Sequence, residues 1–435
     1  GFKVSGSDLR KSSITERLTG LGIEVSYGHR KANITPDIDA VVYTAAIDND
    51  NEEYVAANEM GIPSLNRAEL IGQLMLNFKD SIAISGTHGK TTVTSMLSLI
   101  FIEGGLDPTI AVGGILEAIG GNMRMGNTEH FIAEACEYKN SFLEFNPHKG
   151  IILNIDEDHL DFFKDLNDIR NSFRTFAKKI PKDGQLFING EIPDYEEITR
   201  DLECEVLTYG IIDPAYGGAD RGYDIAAGSI QSFNMTGHSF DLYYKGKYLD
   251  RIYLNIIGIH NISNSLPAIG AGLEAGIPIE SIKNTLMNFK GAKRRFEYKG
   301  SIHGVNIVDD YAHHPTEITA TLTSARSYTD KTLWCVFQPH TYSRTRKHLK
   351  EFARALSIAD RIVLADIYAA REKDPGDISS LDLAEEIRKY GKDVNYFSSF
   401  DEIESFLLEN CINGDLLITM GAGDIVTVGE SLLGM

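Results

Sequence analysis

The chain has 435 residues and carries 42 lysine and arginine residues against 62 aspartate and glutamate residues, a formal net charge of −20. This acidic balance excludes nonspecific binding to nucleic acid or anionic lipid, because both repel an excess of carboxylates. Hydrophobic residues at 43% and charged residues at 24% are typical of a globular protein. The length suits about three domains. The sequence contains no uncharged apolar run of about 18 residues, the length that would predict a membrane-spanning helix.

The four cysteines, Cys136, Cys204, Cys335 and Cys411, lie far apart and form no CxxC pair. This spacing predicts neither a disulfide framework nor a zinc knuckle. No signal-peptide pattern opens the chain, so we expect a cytoplasmic protein. The composition leaves the oligomeric state open.

The first block, residues 1–79, alternates short apolar segments with stretches of helical spacing, which predicts a Rossmann-like α/β domain. AVVYTAAI (Ala40 to Ile47) is a predicted strand, and ITERLTGLGI is a predicted helix. The chain opens on GFKVSGSD, which resembles the second strand of a nucleotide-binding sheet. We therefore expect this domain to be truncated at its start.

The second block opens on SIAISGTHGKTTVTSMLSLI, Ser81 to Ile100, which predicts a strand, a glycine-rich loop and a helix. Such a loop points backbone N–H groups and the helix dipole at an anion, while a lysine adds charge and a hydroxyl ligates magnesium. The loop is a compact variant of G-x-x-x-x-G-K-[ST], because Ile84 stands at the first glycine position. An ordinary glycine-rich turn is the alternative. The candidate phosphate-binding residues are Gly86, Thr87, His88, Gly89, Lys90, Thr91 and Thr92.

Two further apolar runs, FIAEA and GIILNI, predict buried parallel strands followed by carboxylates and a histidine. Ligands collect at the carboxyl ends of such strands, so we expect Glu134 and His159 near the phosphate loop. Carboxylate and hydroxyl oxygens suit a hard cation, so Thr91 and Glu134 are predicted to hold one Mg²⁺, and His159 could serve a second. The alternatives are a structural histidine and, for the neighbouring carboxylates, a solvated surface. These neighbours, Glu137, Asp156 and Asp158, could also substitute as ligands.

The segment GIHNISNS places Asn261 and Asn264 three residues apart, and therefore on one face of a helix. An amide side chain presents both a donor and an acceptor, which recognition of a purine edge requires. Helix capping is the alternative for both residues. The pattern predicts either a nucleoside contact or a helix start.

The third block alternates the strands VNIVDD, TLWCVF, RIVLAD and DLLITM with helices, and predicts a second doubly wound sheet after the connection GAKRRFEYKG. In KRRF, the basic side chains of Lys293, Arg294 and Arg295 predict either a solvated turn or a clamp for a transferring phosphoryl group. His313 and His314 follow as a pair, but no third ligand lies near them at metal-binding spacing. A zinc site is therefore disfavoured. Polar residues after two of the strands are Asp309, Asp310, Tyr311, His313 and His314, and then His340, Arg344 and Arg346.

Taken in order, GTHGKTT, the Glu134 strand, NIDEDHLD, HNISNS, KRRF and DDYAHHPTE resemble the Mur ligase family of ATP-dependent, amide-forming enzymes of peptidoglycan assembly. HHPTEI followed by QPHTYSRTR resembles the branch that joins L-alanine to UDP-N-acetylmuramate. The resemblance implies three α/β domains: residues 1–79 for the UDP substrate, a central P-loop ATPase domain with a parallel sheet at 80–292, and a Rossmann-like amino-acid domain at 293–435. The family begins with a strand and a Gly-rich loop that this chain lacks, and only Ser5, Ser7 and Asp8 remain of that edge.

The resemblance also implies roles for individual residues. The implied catalytic residues are Lys90, Glu134, His159, Arg294 and His313, of which Glu134 and His159 join Thr91 as magnesium ligands. ATP contacts are implied for the phosphate loop and for Asn261, Asn264, Arg295, Asp310 and Tyr311. Substrate contacts are implied for Ser7, Asp8, His313, His340 and Arg344.

The implied reaction uses ATP and Mg²⁺. The muramoyl carboxylate attacks the γ-phosphate to give an acyl phosphate, and the alanine amine then displaces phosphate. Because residues of two domains must converge, we expect domain closure on ATP binding. The alternatives are a murein-tripeptide recycling ligase using the same UDP sugar, a folylpolyglutamate synthase, and a nucleotide-binding regulator without activity.

Overall fold

The computed structural model describes residues 2–44, 47–159, 162–233, 237–291, 293–370 and 372–435. Along the chain it has two short strand pairs, then a ten-stranded sheet and a six-stranded sheet. Helices connect most of the parallel strands, as α/β patterning predicts. No helix within the described ranges is long and apolar enough to cross a membrane.

The N-terminal segment contains two separate pairs of parallel strands. Strand β1 pairs with β2, and β3 pairs with β4. The strand predicted in AVVYTAAI is shorter than expected, and its Ala45 and Ala46 lie outside the described residues. The elements are β1 Ser5–Asp8, α1 Ser13–Gly20, β2 Glu24–Tyr27, β3 Val41–Tyr43, α2 Glu52–Glu59, β4 Ser64–Asn66 and α3 Arg67–Met75.

Helix α3 packs on the central sheet rather than only on its own strands. Its Ile71 and Met75 are buried in a core formed mostly by residues that follow residue 80. The Asn146 side chain donates a 3.1 Å hydrogen bond to the carbonyl of Gly72, where a Cβ would lie 1.9 Å from the Glu144 carbonyl oxygen. A glycine is therefore required where α3 meets the central domain.

The ten-stranded sheet has the order β14-β13-β12-β11-β10-β9-β5-β8-β6-β7 and is parallel from β12 to β6. The hairpins β12–β13–β14 and β6–β7 extend it with antiparallel pairs. Its strands are β5 Asp80–Ser85, β6 Thr109–Leu116, β7 Gly121–Arg124, β8 His130–Glu134, β9 Lys149–Ile152, β10 Gln185–Asn189, β11 Glu205–Ile211, β12 Ile225–Phe233, β13 Gly237–Tyr244 and β14 Lys247–Leu254. Its helices are α4 Lys90–Glu103, α5 Leu166–Ala177, α6 Tyr195–Thr199, α7 Ile259–Glu274 and α8 Ile279–Asn288.

Both faces of the central strands are buried, which explains their continuous apolar runs. In β5, Ile82 and Ile84 belong to the core with α4, α7 and α8, whereas Ala83 faces the core with α3 and α5. The small residues of α7 allow close packing: a Cβ at Gly270 would lie 2.2 Å from the Ile225 side chain. The sheet therefore carries the phosphate loop on a rigid, fully packed base.

A buried charge cluster closes the amino-terminal edge of this sheet. Asp80 lies 2.8 Å from His130 Nδ1 and 2.8 Å from Lys149 Nζ, and the three side chains are each 15% exposed or less. Burial acts to raise the pKa of Asp80, but the His130 hydrogen bond and the Lys149 charge outweigh it, so that the pKa is lowered. The cluster is consistent with a structural role, because buried charges in proteins are normally paired.

Replacing Asp80 with asparagine is expected to destabilise the central domain by about 3 kcal/mol, because Lys149 keeps a buried charge without its partner. The carboxylate's contribution is present above its unfolded pKa of about 4 and is lost as pH falls through the lower folded value. Thermal unfolding of Asp80→Asn and wild type should therefore differ by several degrees between about pH 5 and 8, and converge in acid. An unchanged midpoint at neutral pH would contradict this role.

The six-stranded sheet has the order β15-β16-β20-β17-β18-β19, with only β15 antiparallel. The second half of GAKRRFEYKG is not only a connection, because it pairs with β16 as the edge strand β15. The strands are β15 Glu297–Ile302, β16 Val305–Asp310, β17 Leu333–Phe337, β18 Arg361–Leu364, β19 Asp393–Tyr396 and β20 Leu416–Met420. The helices are α9 Pro315–Arg326, α10 Tyr342–Lys347, α11 Leu349–Leu356, α12 Ser380–Arg388, α13 Phe400–Asn410 and α14 Val426–Leu432.

Candidate active site

The glycine-rich loop joins β5 to α4 in a conformation that requires both glycines. Gly86 has a φ of 147° and Gly89 a φ of 83°, the left-handed region in which a side chain is strained. A Cβ at Gly89 would also lie 2.7 Å from the Asn264 Oδ1 atom. Glycine therefore lets α7 approach the loop, and the first amide groups of α4 face the space that the loop encloses.

Asn154, a residue that the sequence analysis did not single out, holds this loop on the sheet. Its Oδ1 accepts a 2.8 Å hydrogen bond from the amide of His88, and its Nδ2 donates a 3.0 Å bond to the His88 carbonyl. Asn154 follows β9, so the loop is fixed to the neighbouring strand end. The sequence signal that could have identified Asn154 as a site residue is its position directly after a buried parallel strand.

Lys90 is held inside the loop by three acceptors. Its Nζ atom donates to the carbonyls of Gly86 at 2.5 Å and Thr87 at 3.1 Å, and to the Glu137 carboxylate at 2.8 Å. Burial acts to lower the pKa of Lys90, but the Glu137 charge outweighs it and the pKa is raised. Lys90 is therefore a charged group held at the mouth of an anion-binding loop.

Thr91 and Glu134, the pair that the sequence predicts to hold Mg²⁺, lie within hydrogen-bond distance of each other. The Thr91 hydroxyl donates a 3.1 Å hydrogen bond to Glu134 Oε1, and Glu134 Oε2 accepts a 2.8 Å bond from the amide of Gly113. Among the described residues no three histidine, cysteine, aspartate or glutamate side chains converge on a metal position. One carboxylate and one hydroxyl fit Mg²⁺, which commonly takes its remaining ligands from phosphates and water.

His159 lies against Glu137 rather than beside Thr91. Its Nε2 atom is 3.8 Å from Glu137 Oε1 and 3.9 Å from Asp158 Oδ2, and its ring centroid lies 4.5 Å from that of Tyr138. Burial acts to raise the pKa of Asp158, but His159 and His314 lower it overall. Glu137 thus bridges Lys90 and His159, a more central position than the sequence indicated.

A cavity of about 500 Å³ opens beside the loop, at the carboxyl ends of β9, β10 and β11. Asn264 lines it and reaches Gly89, whereas Asn261 is buried behind, accepting a 3.0 Å bond from Asn264 and donating a 2.7 Å bond to the Ile257 carbonyl. The two asparagines therefore have different positions: Asn264 faces the cavity and Asn261 orients it. Other lining residues are Asn154, Asn189, Tyr216, Arg221, Tyr223 and His260.

Burial lowers the pKa of His260, in the wall of this cavity, to about 4. The imidazole is therefore neutral at pH 7 and offers one donor and one acceptor nitrogen. A partly apolar, partly polar cavity next to a phosphate loop has the composition of a nucleoside site.

Arg294 is engaged by its own domain. Its Nε donates to Asp309 at 3.0 Å, its Nη1 to the Gly423 carbonyl at 2.7 Å, and its Nη2 to the Gly421 carbonyl at 2.6 Å. A phosphoryl clamp would have to give up these bonds. In this conformation Arg294 attaches the connection to the sheet. Lys293 reaches the central domain, 2.8 Å from Glu117, whereas Arg295 lies 3.9 Å from Glu317 of α9 in its own domain.

The Asp310 carboxylate is also hydrogen-bonded within its own domain, in this case to backbone amides. It accepts a 2.8 Å bond from the amide of Phe296 and a 2.7 Å bond from that of Ala312, and burial raises its pKa to about 6. Tyr311, next in the chain, lies under both guanidinium groups, with its ring centroid 5.0 Å from Arg294 and 5.3 Å from Arg295. Asp310 therefore shapes the strand end from which Tyr311 projects.

The ends of β16 and β17 bring His313, His340 and Arg344 together. The two histidine rings are 5.7 Å apart, and His340 Nδ1 lies 3.2 Å from Arg344 Nη1. Burial lowers the pKa of both histidines, that of His340 to about 4. Two neutral imidazoles beside a fixed cation suit a carboxylate-bearing ligand, whereas Arg346 pairs with Asp377 instead.

Ser7 and Asp8 lie in β1, where only Ser7 joins a wider network. The Ser7 hydroxyl donates a 2.6 Å bond to Glu53 and lies 3.3 Å from His29 Nδ1, while Asp8 accepts a bond from the amide of Arg10 at 3.1 Å. His29 and Glu53 were not recognised in the sequence. A histidine just after a short strand was the only local signal for them.

Three family models match the chain in succession. Residues 1–79 match the Mur ligase family catalytic domain, residues 84–272 the Mur ligase middle domain, and residues 294–423 the Mur ligase glutamate ligase domain. The solved UDP-N-acetylmuramate-alanine ligase from Thermotoga maritima aligns with a TM-score of 0.80 and 26% identity, covering 99% of this chain and 92% of that one. A murein peptide ligase from Psychrobacter arcticus, at 24% identity and a TM-score of 0.70 over 99% and 93% of the chains, shares the fold.

Sequence relatives are considerably more similar. The UDP-N-acetylmuramate–L-alanine ligase of Lachnoclostridium phytofermentans is 57% identical over 436 residues, 100% of this chain and 93% of that protein. The enzyme of the same name from Lachnospira eligens is 55% identical with the same coverage. The α/β fold in three domains and the resemblance stated from the motifs are both confirmed. With these matches along its whole length and its phosphate loop in place, the chain belongs to the Mur ligase family.

Proposed function

We propose that this protein joins L-alanine to the carboxylate of UDP-N-acetylmuramate with hydrolysis of ATP, a C–N ligation in peptidoglycan synthesis. The observation that carries the proposal is the 57% identity, over the full chain, to a UDP-N-acetylmuramate–L-alanine ligase. The murein-tripeptide alternative has weaker support, because the solved ligases of that type are 24% and 25% identical to this chain. We also propose a cytoplasmic location, which would suit a reaction that uses ATP and a UDP-linked sugar.

The proposed reaction has two steps. An oxygen of the muramoyl carboxylate attacks the γ-phosphorus of ATP, and the bond to the bridging oxygen breaks, which gives an acyl phosphate and ADP. The alanine amine then attacks the acyl carbon, the tetrahedral intermediate expels phosphate, and the amine loses a proton as the amide forms. Both steps bring anions together in an acidic protein, so positive charge must be supplied locally.

The loop residues would supply that charge. Lys90 would exchange its bonds to Glu137 and the loop carbonyls for phosphate oxygens, and the α4 amides would bind the same groups. Thr91 and Glu134 would hold Mg²⁺, which would neutralise phosphate charge when bound. Asn264 and the adjoining cavity would take the nucleoside of ATP.

The strand ends of the third domain would receive the other substrates. Arg344 offers a cation for a carboxylate, and the neutral His313 and His340 can each accept a proton or a hydrogen bond. Ser7 and Asp8 would lie on the side of the UDP portion. These assignments join residues of separate domains, so we propose that the domains close during turnover.

The test is phosphate release with ATP, Mg²⁺ and UDP-N-acetylmuramate, comparing L-alanine with the L-Ala-γ-D-Glu-diaminopimelate tripeptide as acceptor. We expect release that depends on L-alanine and on the UDP sugar together. Preference for the tripeptide would overturn the assignment in favour of recycling. ATP hydrolysis independent of both acceptor and sugar would contradict a ligase.

A further inference from the structure

Glu317, in the first turn of α9, is a glutamate whose two carboxylate oxygens have different partners. Its Oε2 atom accepts bonds from the amides of His313 at 3.0 Å and His314 at 3.3 Å, and lies 3.3 Å from His313 Nδ1. These contacts complete a capping box at the start of the helix. They use one oxygen of the carboxylate only.

The other oxygen faces groups outside the helix. Glu317 Oε1 lies 3.4 Å from His88 Nδ1 and 3.9 Å from Arg295 Nη1. His88 belongs to the phosphate loop of the central domain, and Arg295 to the connection between the domains. The Glu317 side chain is only 15% exposed, so these charges interact with little screening by water. Capping of α9 does not require these contacts of Oε1, because Oε2 alone forms the capping box.

His88 is in turn fixed to the central domain. The two hydrogen bonds from Asn154 hold its backbone, and its ring lies between Glu317 and Asp156, whose Oδ2 is 3.7 Å from Nε2. Within the described part of the chain, neither ring nitrogen has a hydrogen-bond partner, although both are buried. The ring is therefore held by charge contacts, one on each side of the domain boundary.

The charges favour this contact. Burial acts to lower the pKa of His88, but Glu317 and Asp156 outweigh it and the pKa is raised. Burial acts to raise the pKa of Glu317, but His313, His88 and Arg295 hold it well below its usual range. A contact between opposite charges across a boundary fixes the register of two bodies as well as attracting them.

We propose that Glu317 is a positioning residue: its Oε1 atom holds the third domain in register on the phosphate loop through His88, and so places His313 and Arg295 relative to Lys90. The proposal rests on the proposed function, because it concerns the alignment of the two halves of that site. Neither the motifs nor the family resemblance assigned a role to this side chain.

The test is Glu317→Gln in the full chain. Glutamine forms the same capping box, so α9 keeps its start, but the neutral amide loses the attraction to His88. We expect kcat for alanine-dependent phosphate release to fall on the order of tenfold to a hundredfold, through misplacement of the third domain. An unchanged kcat would overturn the proposal.

Glu69→Gln is the matched control. Glu69 occupies the same position in α3, where it accepts a 2.6 Å bond from the amide of Asn66 in a capping box, and no ion pair of Glu69 occurs among the described residues. This variant should keep the wild-type kcat. If both glutamine variants lose activity equally, the capping box and not the domain contact is responsible, and the proposal fails.

A double-mutant cycle with His88→Gln isolates the pair. If Glu317 acts through His88, the double variant should lose no more activity than the more impaired single variant. Losses that multiply would show that the two side chains act independently, which would overturn the proposal.

Hydrogen–deuterium exchange provides a readout that does not depend on turnover. Glu317→Gln should raise amide exchange both in the loop at 86–90 and at 313–317, whereas loss of a helix cap alone would raise it only in α9. An effect confined to α9 would contradict the proposal. If wild type shows no alanine-dependent turnover, the proposed function fails, and the exchange result still decides whether the contact exists.

Discussion

Replacing Lys90 with methionine is expected to lower kcat by at least about three orders of magnitude, the largest effect of any single change in this site. Methionine keeps the length and apolar stem of the side chain but removes the charge that Gly86, Thr87 and Glu137 hold in the loop. No other lysine lies in the loop to replace it. The measurement is phosphate release at saturating ATP, L-alanine and UDP sugar.

The Lys90→Met variant also leaves the buried Glu137 carboxylate without its nearest partner, which costs stability on the order of 3 kcal/mol. The double variant Lys90→Met with Glu137→Gln removes this unpaired charge, so it should unfold near the wild-type temperature and still be inactive. Lys283→Met, which breaks a surface ion pair with Asp250, is the control for loss of a lysine. A folded double variant that kept more than about a tenth of the activity would contradict the role of Lys90.

Replacing Glu134 with glutamine is expected to lower kcat by about two to three orders of magnitude and to raise the Mg²⁺ concentration needed for half-maximal activity at least about tenfold. Glutamine can accept the Gly113 amide hydrogen bond with its carbonyl oxygen and donate its own N–H to the Thr91 hydroxyl, so the strand end keeps its shape. The negative charge and one of the two carboxylate oxygens, the ligands that a hard cation prefers, are lost. The measurement is a Mg²⁺ titration of phosphate release at fixed ATP.

Glu129→Gln provides the comparison for this change, because Glu129 precedes the same strand at its opposite end and forms an exposed pair with Lys79. It should leave both kcat and the Mg²⁺ dependence as in wild type. Excess Mg²⁺ should partly restore Glu134→Gln, since the Thr91 hydroxyl remains. A variant with reduced activity but an unchanged Mg²⁺ titration would show that Glu134 acts by another route.

The phosphate loop was predictable because its signals are local. The apolar run before Gly86 and the helical repeat after Thr91 lie next to each other in the chain, and the chemistry of lysine and threonine at a helix start is general. The same is true of Glu134, which ends a buried strand. Residues fixed by the chain immediately before and after them could be placed at the site from the sequence. The side chains that they contact come from distant parts of the chain and could not be predicted.

Arg294 and Glu137 illustrate this difference. Three adjacent basic residues, 293–295, look equivalent in the sequence, yet Arg294 is taken up by carbonyls of residues 421 and 423, more than a hundred positions away. Glu137 looked like one of several loop carboxylates, but the packing buries it between Lys90 and His159. Only the three-dimensional arrangement decides which charge is free and which is already paired.

The hairpin β6–β7 and the edge strand β15 were missed for a related reason. Strands β6 and β7 contain polar residues and glycines, and β15 lies in a basic segment whose composition indicated a connection. Antiparallel edge strands need only one apolar face, so their pattern is weaker than that of a buried parallel strand. The buried strands β5, β8, β9, β16, β17, β18 and β20, by contrast, were placed from their continuous apolar runs.

Helix α3 lies within the range of the first family model, residues 1–79, but it packs in the core of the central sheet. The boundary of the family model is therefore not the boundary of the packed domain. A fragment beginning at residue 80 would leave the core around Phe131 and Phe145 open to water, because Ile71 and Met75 would be missing. A fragment beginning just before β4 would include α3, which would shield this core from water. We therefore expect α3 to remain with the sheet that carries the phosphate loop when the first strand pairs move to admit a substrate.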